Sequence, residues 1–90
     1  MIMFFYVYLL KSLNFNEFYI GYTNNLRERL EKHNHGLVFS TKRYMPWQLI
    51  YYEACLNQED AKRREKYFKT SQRSRLLKRR LKEYFYCFKN

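Results

Sequence analysis

A chain of 90 residues, 47% hydrophobic and 21% aromatic, has room for one domain and one core; with only two Gly and one Pro, disorder is excluded. Its formal net charge of +10 and pI near 9.8 point to an anionic partner, nucleic acid first, with nonspecific RNA or membrane-surface binding as the plain alternative. Cys55 and Cys87 stand apart with no metal-ligand spacing, which suits reduced structural thiols rather than a bridge or a zinc site.

Met1 to Leu10 is apolar, but it lacks a basic leader and a small-residue cleavage site, and Lys11 ends it too early to span a bilayer. It reads as a strand, and the expectation is a cytoplasmic protein with no membrane partner. Aromatic and β-branched residues predict strands over Phe4–Leu10 and Phe18–Tyr22, joined as an antiparallel hairpin by the polar turn Asn14-Phe15-Asn16-Glu17. The hairpin sets Tyr6-Val7-Tyr8 beside Tyr19-Ile20-Gly21, with their phenols side by side.

Thr23-Asn24-Asn25 then offers helix N-caps, Asn25 and Glu28 form part of a capping-box pattern, and Gly36 is the stop. Leu26, Leu30 and His33 make one stripe of this helix, with Arg29 at its edge one turn from His33. Leu37 lies just past its end. A basic loop over Val38–Met45 leads to Pro46, and Trp47–Tyr52 reads as a third strand whose Leu49-Ile50-Tyr51-Tyr52 suits burial. Asn57 caps a second helix running to about Lys69. Ser74 starts a last helix, striped by Leu77, Leu81, Tyr84 and Phe85. The order ββαβαα predicts an α+β fold, a small three-stranded antiparallel β-sheet flanked by helices, as one domain over residues 1–90.

Glu65 shares a helix face with Ala61 and Phe68, with Lys62, Lys66 and Lys69 turned away. A carboxylate on a core-facing side is costly unless paired or bound to a metal. It therefore either forms a salt bridge, to Arg29 or a neighbouring Arg, or serves a hard cation completed by waters and phosphate oxygens. Arg29 offers a planar fork suited to two phosphate oxygens. His33, on the apolar stripe, is either a hydrogen-bonded core residue or a functional base. Tyr8 and Tyr19, taken singly in a chain with ten Tyr, would be core aromatics.

Together these residues resemble the GIY-YIG endonuclease superfamily, and closely its small single-domain members. Tyr6-Val7-Tyr8 stands at the first motif, with Tyr6 in place of the usual Gly, and Tyr19-Ile20-Gly21 matches the second. Arg29, His33 in His33-Asn34, and Glu65 in Arg63-Arg64-Glu65 fall at the family's catalytic Arg, His and metal-binding Glu. Ser40-Thr41-Lys42, Pro46-Trp47 and Tyr51-Tyr52-Glu53 resemble the connecting segment, and the resemblance runs from about residue 4 to 81.

The resemblance implies a phosphodiesterase using one Mg²⁺ (or Mn²⁺) ion on Glu65, with Tyr8, Tyr19, Arg29 and His33 as the other catalytic residues. Tyr8 would orient or deprotonate the attacking water, and Tyr19 would support it. Lys42, Arg43, Arg64, Lys69 and Arg73 would bind the nucleic-acid backbone. Such contacts carry charge and little sequence information, so the expected substrate is DNA recognised by structure rather than by sequence. Two other readings stay open: a nucleic-acid-binding module without catalysis, and a subunit docking a protein partner or second copy through its aromatic surface.

Overall fold

The computed structural model describes residues 2–70 and 73–89, without the side chains of residues 73, 74, 76, 77 and 87–89. Three strands, β1 (Phe5–Ser12), β2 (Phe18–Thr23) and β3 (Trp47–Cys55), form one antiparallel sheet in the order β2-β1-β3. The helices are α1 (Leu26–Asn34), α2 (Gln58–Phe68), α3 (Arg73–Arg80) and α4 (Lys82–Lys89), with a short 3-10 turn at Lys42–Tyr44 before β3. The predicted order holds, and the last helical region is carried as two segments parted at Leu81. The side chains of Arg73, Leu77 and Cys87 lie outside the described residues.

Because β1 is the central strand, both of its faces are covered, and Val7 to Ser12 are all buried. One face carries Val7, Leu9 and Ile20 against Ala61 and Phe68 of α2, with Leu81 and Phe85 beyond. The opposite face carries Tyr8 and Leu10 against Leu26 and Leu30 of α1, closed by Trp47 and Tyr44. Alternation along each strand separates the two layers, and a bulge between Leu9 and Leu10 shifts the pairing with β3.

The start of α1 is set by Asn25, whose side chain accepts the Glu28 N–H at 3.1 Å. The Glu28 carboxylate answers the Asn25 side-chain amide at 3.4 Å, so the box is partial, as expected. At the other end Gly36 takes φ of 73°, Leu37 N–H returns to Lys32 O at 3.0 Å, and Gly36 N–H returns to His33 O at 3.4 Å. This is the paired closure of a Schellman end, which needs a residue free to adopt positive φ.

Two local expectations need correction. Phe4 precedes β1 and is exposed, because the ladder begins at Phe5. Tyr52, placed by sequence in a buried run, is 52% exposed because β3 is an edge strand. Leu37 lies past the helix end, as expected, and is exposed.

Candidate active site

Tyr8 sits on the central strand opposite Gly21, and its ring crosses the space a side chain at 21 would fill. A Cβ there would meet the Tyr8 hydroxyl, would lie 2.6 Å from Tyr8 Cζ and 3.0 Å from Tyr19 Cε2. The second motif therefore ends in Gly because a phenol occupies the side-chain position. Tyr19 pairs with Leu10 on the same face, and its ring centroid lies 6.3 Å from that of Tyr8 and 5.0 Å from that of His33.

His33, on the inward side of α1, is fully buried, and its Nε2 is 2.8 Å from the Tyr8 hydroxyl oxygen. Arg29, one turn earlier, donates from Nε to the same oxygen at 3.4 Å. The other ring nitrogen of His33 meets the fully buried Thr41 Oγ1 at 2.7 Å. Thr41 Oγ1 also donates to Val38 O at 3.3 Å. With that hydroxyl proton on Val38, the Thr41 oxygen accepts from His33 Nδ1–H. Nε2 is then left as an acceptor for the Tyr8 proton.

The loop that brings Thr41 here is itself pinned. Trp47 donates from its indole to Thr41 O at 2.9 Å, and Asn34 clasps the Trp47 backbone through both its amide groups at 2.6 and 3.0 Å. Thr41 and Asn34 were legible only as letters in the segments Ser40-Thr41-Lys42 and His33-Asn34. Their place as a buried brace behind the imidazole had no separate signal.

Burial raises the Tyr8 phenol to about 12, outweighing the Arg29 hydrogen bond, while the charges of Tyr19 and Glu65 push it further up. Burial, aided by the Arg29 charge, lowers His33 to about 4. At neutral pH both groups are uncharged. Arg29 is held above its usual range, first by its hydrogen bond to Tyr8 and also by one to Tyr19. The site thus has depth: Tyr19 and Arg29 are half-buried, and Tyr8, His33 and Thr41 lie behind them.

Glu65 stands on α2, its side chain 21% exposed, and pairs with Lys69 at 3.3 Å rather than with an arginine. Among the influences on the Tyr8 phenol the Glu65 charge is the weakest. Among the described residues no three His, Cys, Asp or Glu side chains surround a common point. That donor set does not fit zinc or a closed cage; it fits a hard cation held by one carboxylate and otherwise by water and phosphate.

The residues expected to bind the nucleic-acid backbone divide. Lys42 and Arg43 are exposed on the turn after Thr41, over the rings of Phe39 and Tyr44 at 4.9 and 5.6 Å. Lys69 is tied to Glu65. Arg64, expected to bind the backbone, commits Nε and Nη2 to Glu53 at 2.8 and 3.2 Å and lies 4.5 Å over the Phe68 ring in a packed ion pair. Tyr51 donates to the same carboxylate at 2.7 Å. Burial works against the Glu53 charge, but these hydrogen bonds outweigh it and hold the carboxyl below its usual range.

Residues 4–79 match the family model described as the GIY-YIG catalytic domain. A UPF0213 protein of Pediococcus pentosaceus is 45% identical over 75 residues, covering 82% of this chain and 78% of that one. The UPF0213 protein CPE1444 of Clostridium perfringens is 38% identical over 73 residues, covering 80% and 77%. The solution structure of the UPF0213 protein BH0048 from Bacillus halodurans superposes with a TM-score of 0.51 at 29% identity, covering 83% of this chain and 82% of that one. No helix among the described residues is long and apolar enough to cross a membrane.

Proposed function

The chain belongs to the GIY-YIG family of catalytic domains, a nuclease-type domain, and from that premise we propose that it hydrolyses nucleic-acid phosphodiester bonds with a divalent cation on Glu65. The substrate we assign is DNA, selected by structure. The observation that carries this reading is the chain Arg29–Tyr8–His33–Thr41, in which one phenol oxygen is held between a guanidinium and a neutral imidazole.

The depth of the site divides the labour. A phosphate arriving from solvent meets Arg29 and Tyr19, and Arg29 neutralises the charge that grows on the phosphoryl oxygens. One such donor contributes about 2.7–4 kcal/mol in comparable sites. Behind them Tyr8 accepts a hydrogen bond from the attacking water while its own O–H donates to His33 Nε2. The phenol acts as an orienting group and proton carrier, since a group raised to about 12 by burial is a neutral donor at working pH. Glu65 is the residue that would hold Mg²⁺ or Mn²⁺, which when bound supplies Lewis-acid stabilisation of the phosphate.

Cleavage of branched, nicked and linear DNA with Mg²⁺ or Mn²⁺ tests this, comparing wild type with Glu65→Ala and Arg29→Ala. Metal-dependent cutting that both variants lose is expected. No cutting of any substrate, or full activity in both variants, would sink the reading.

The Lys69–Glu65 ion pair and the lone carboxylate favour one second reading, a nucleic-acid-binding module without turnover. Binding that persists in EDTA without any cleavage in metal would select it.

A further inference from the structure

The sheet face that carries Tyr8 does not end where α1 ceases to cover it. Tyr6 lies two residues before Tyr8 on β1 and so points the same way, and Tyr52 on β3 pairs directly with Tyr8. The Tyr6 and Tyr52 ring centroids are 5.8 Å apart, and that of Phe4 is 6.5 Å from Tyr6. Phe4 is 41% exposed and Tyr52 52% exposed. Phe4 and Tyr52 therefore face solvent, with the half-buried Tyr6 ring between them, on the face that carries the phenol of the candidate site. Arg29, which donates to that phenol, also lines a polar cleft at the start of α1 with Asn24, Asn25, Glu28 and Lys32, where Glu28 pairs with Lys32 at 3.2 Å.

Exposed aromatic rings scattered singly need no explanation, but a continuous row beside a guanidinium in a chain of charge +10 does. The ligand must offer flat apolar faces and anionic links at once. Nucleotides do so, and only when unpaired, because a duplex hides its base faces in its own stack. A lipid surface or an acidic peptide would satisfy the cations, but neither repeats a flat ring and an anionic link at every unit as a nucleotide chain does.

We propose that Phe4, Tyr6 and Tyr52 form a stacking platform for unpaired nucleobases beside the scissile phosphate, so that the substrates are single-stranded or flapped nucleic acids. This deepens the nuclease reading and rests on it for the place of the phosphate at Arg29. The stacking itself requires no turnover. Tyr52 and Phe4 supply the open rings, and Tyr6, half-buried between them, sets their spacing.

The test is binding in EDTA, by fluorescence anisotropy, of an oligo-dT strand, an abasic strand and a duplex of equal length. Wild type binds the dT strand more tightly than the abasic one. Tyr52→Ala and Phe4→Ala each weaken dT binding about tenfold, the scale of one lost base stack, and leave duplex and abasic binding unchanged. Tyr52→Phe retains the dT affinity, and circular dichroism checks that the exposed-site variants stay folded. Equal affinity of wild type for dT and abasic strands, or an equal effect of Tyr52→Ala on all three ligands, overturns the proposal. So does a wild-type dimer in light scattering that Tyr52→Ala dissociates, which would give the face to a second copy of the chain. Loss of cleavage with the dT preference intact would defeat the nuclease chemistry alone.

Discussion

The phenol of Tyr8 lies across Gly21, and the two residues are paired on neighbouring strands. His33 fixes the Tyr8 hydroxyl from the opposite side at 2.8 Å, so the ring has nowhere to retreat. Gly21→Ala places a methyl 2.6 Å from Tyr8 Cζ, well inside contact distance. The expected result is a loss of about 1–3 kcal/mol in stability, as for overpacked cores. Metal-dependent cleavage should fall out of proportion to it. Urea unfolding and single-turnover cleavage measure the two effects; an unperturbed Gly21→Ala enzyme would show that Tyr8 need not hold this position.

Thr41 presents a second test, because its hydroxyl faces His33 Nδ1 at 2.7 Å while donating to Val38 O at 3.3 Å. Thr41→Val keeps the shape and removes the hydroxyl, leaving a buried ring nitrogen unpartnered at a cost of about 1–3 kcal/mol. The ¹⁵N shifts of the imidazole should report the Nδ1–H tautomer in wild type and a changed tautomer in Thr41→Val, with Thr41→Ser restoring it. The same tautomer in all three proteins would remove Thr41 from the arrangement.

Much of this was legible in the sequence, and the reasons it was not complete are physical. Strand and helix positions follow from aromatic alternation, the Asn caps and Gly36, all local signals. The hairpin follows from its short polar turn, but the sheet order, with β1 central and β3 at an edge, rests on non-local pairing that the sequence pattern does not specify. What local pattern cannot carry is the partner of a loop side chain. Thr41 reaches His33 through a turn with no periodicity, and Arg64 finds Glu53 on another element. Tyr52 looks like core by composition and is exposed by its place on an edge strand. The division at Leu81 falls in a stretch whose apolar stripe runs through it unchanged.

Acid should weaken the fold through His33. The unfolded chain takes up this proton near pH 6.5 and the folded chain only near pH 4. Stability from the neutral buried ring is therefore complete above about pH 6.5 and is lost as pH falls toward 4, by roughly 3 kcal/mol in all. Urea midpoints at pH 7, 5.5 and 4.5 should fall in wild type and stay flatter in His33→Asn across this window. Identical slopes in the two proteins would place the acid sensitivity elsewhere.

Arg64 should prove structural. Its bidentate pair with Glu53, with side chains 31% and 22% exposed and an aromatic ring beneath, predicts a loss of about 1–3 kcal/mol for Arg64→Ala. The salt slope of DNA binding should not change, whereas a true phosphate contact would lower it by about 0.9. Titrations of both proteins between low and moderate salt decide between the two.

Lys42 and Arg43 are predicted to behave in the opposite way. Both are exposed, both rest over rings of their own loop, and the residue before them is the Thr41 that braces His33. The brace ties the turn to the site, which sets Lys42 and Arg43 directly after a residue that touches His33. Neither makes a salt bridge among the described residues, so removing them leaves no carboxylate stranded and little change in stability is expected. Replacing both with Ala should lower the log–log salt slope by about 0.9 for each duplex phosphate no longer neutralised, or about 0.7 on a single strand. Affinity should drop alike for all sequences, since such cations position the nucleic acid without reading bases. A slope unchanged from wild type would put the backbone path elsewhere, on the basic faces of α2 and α3.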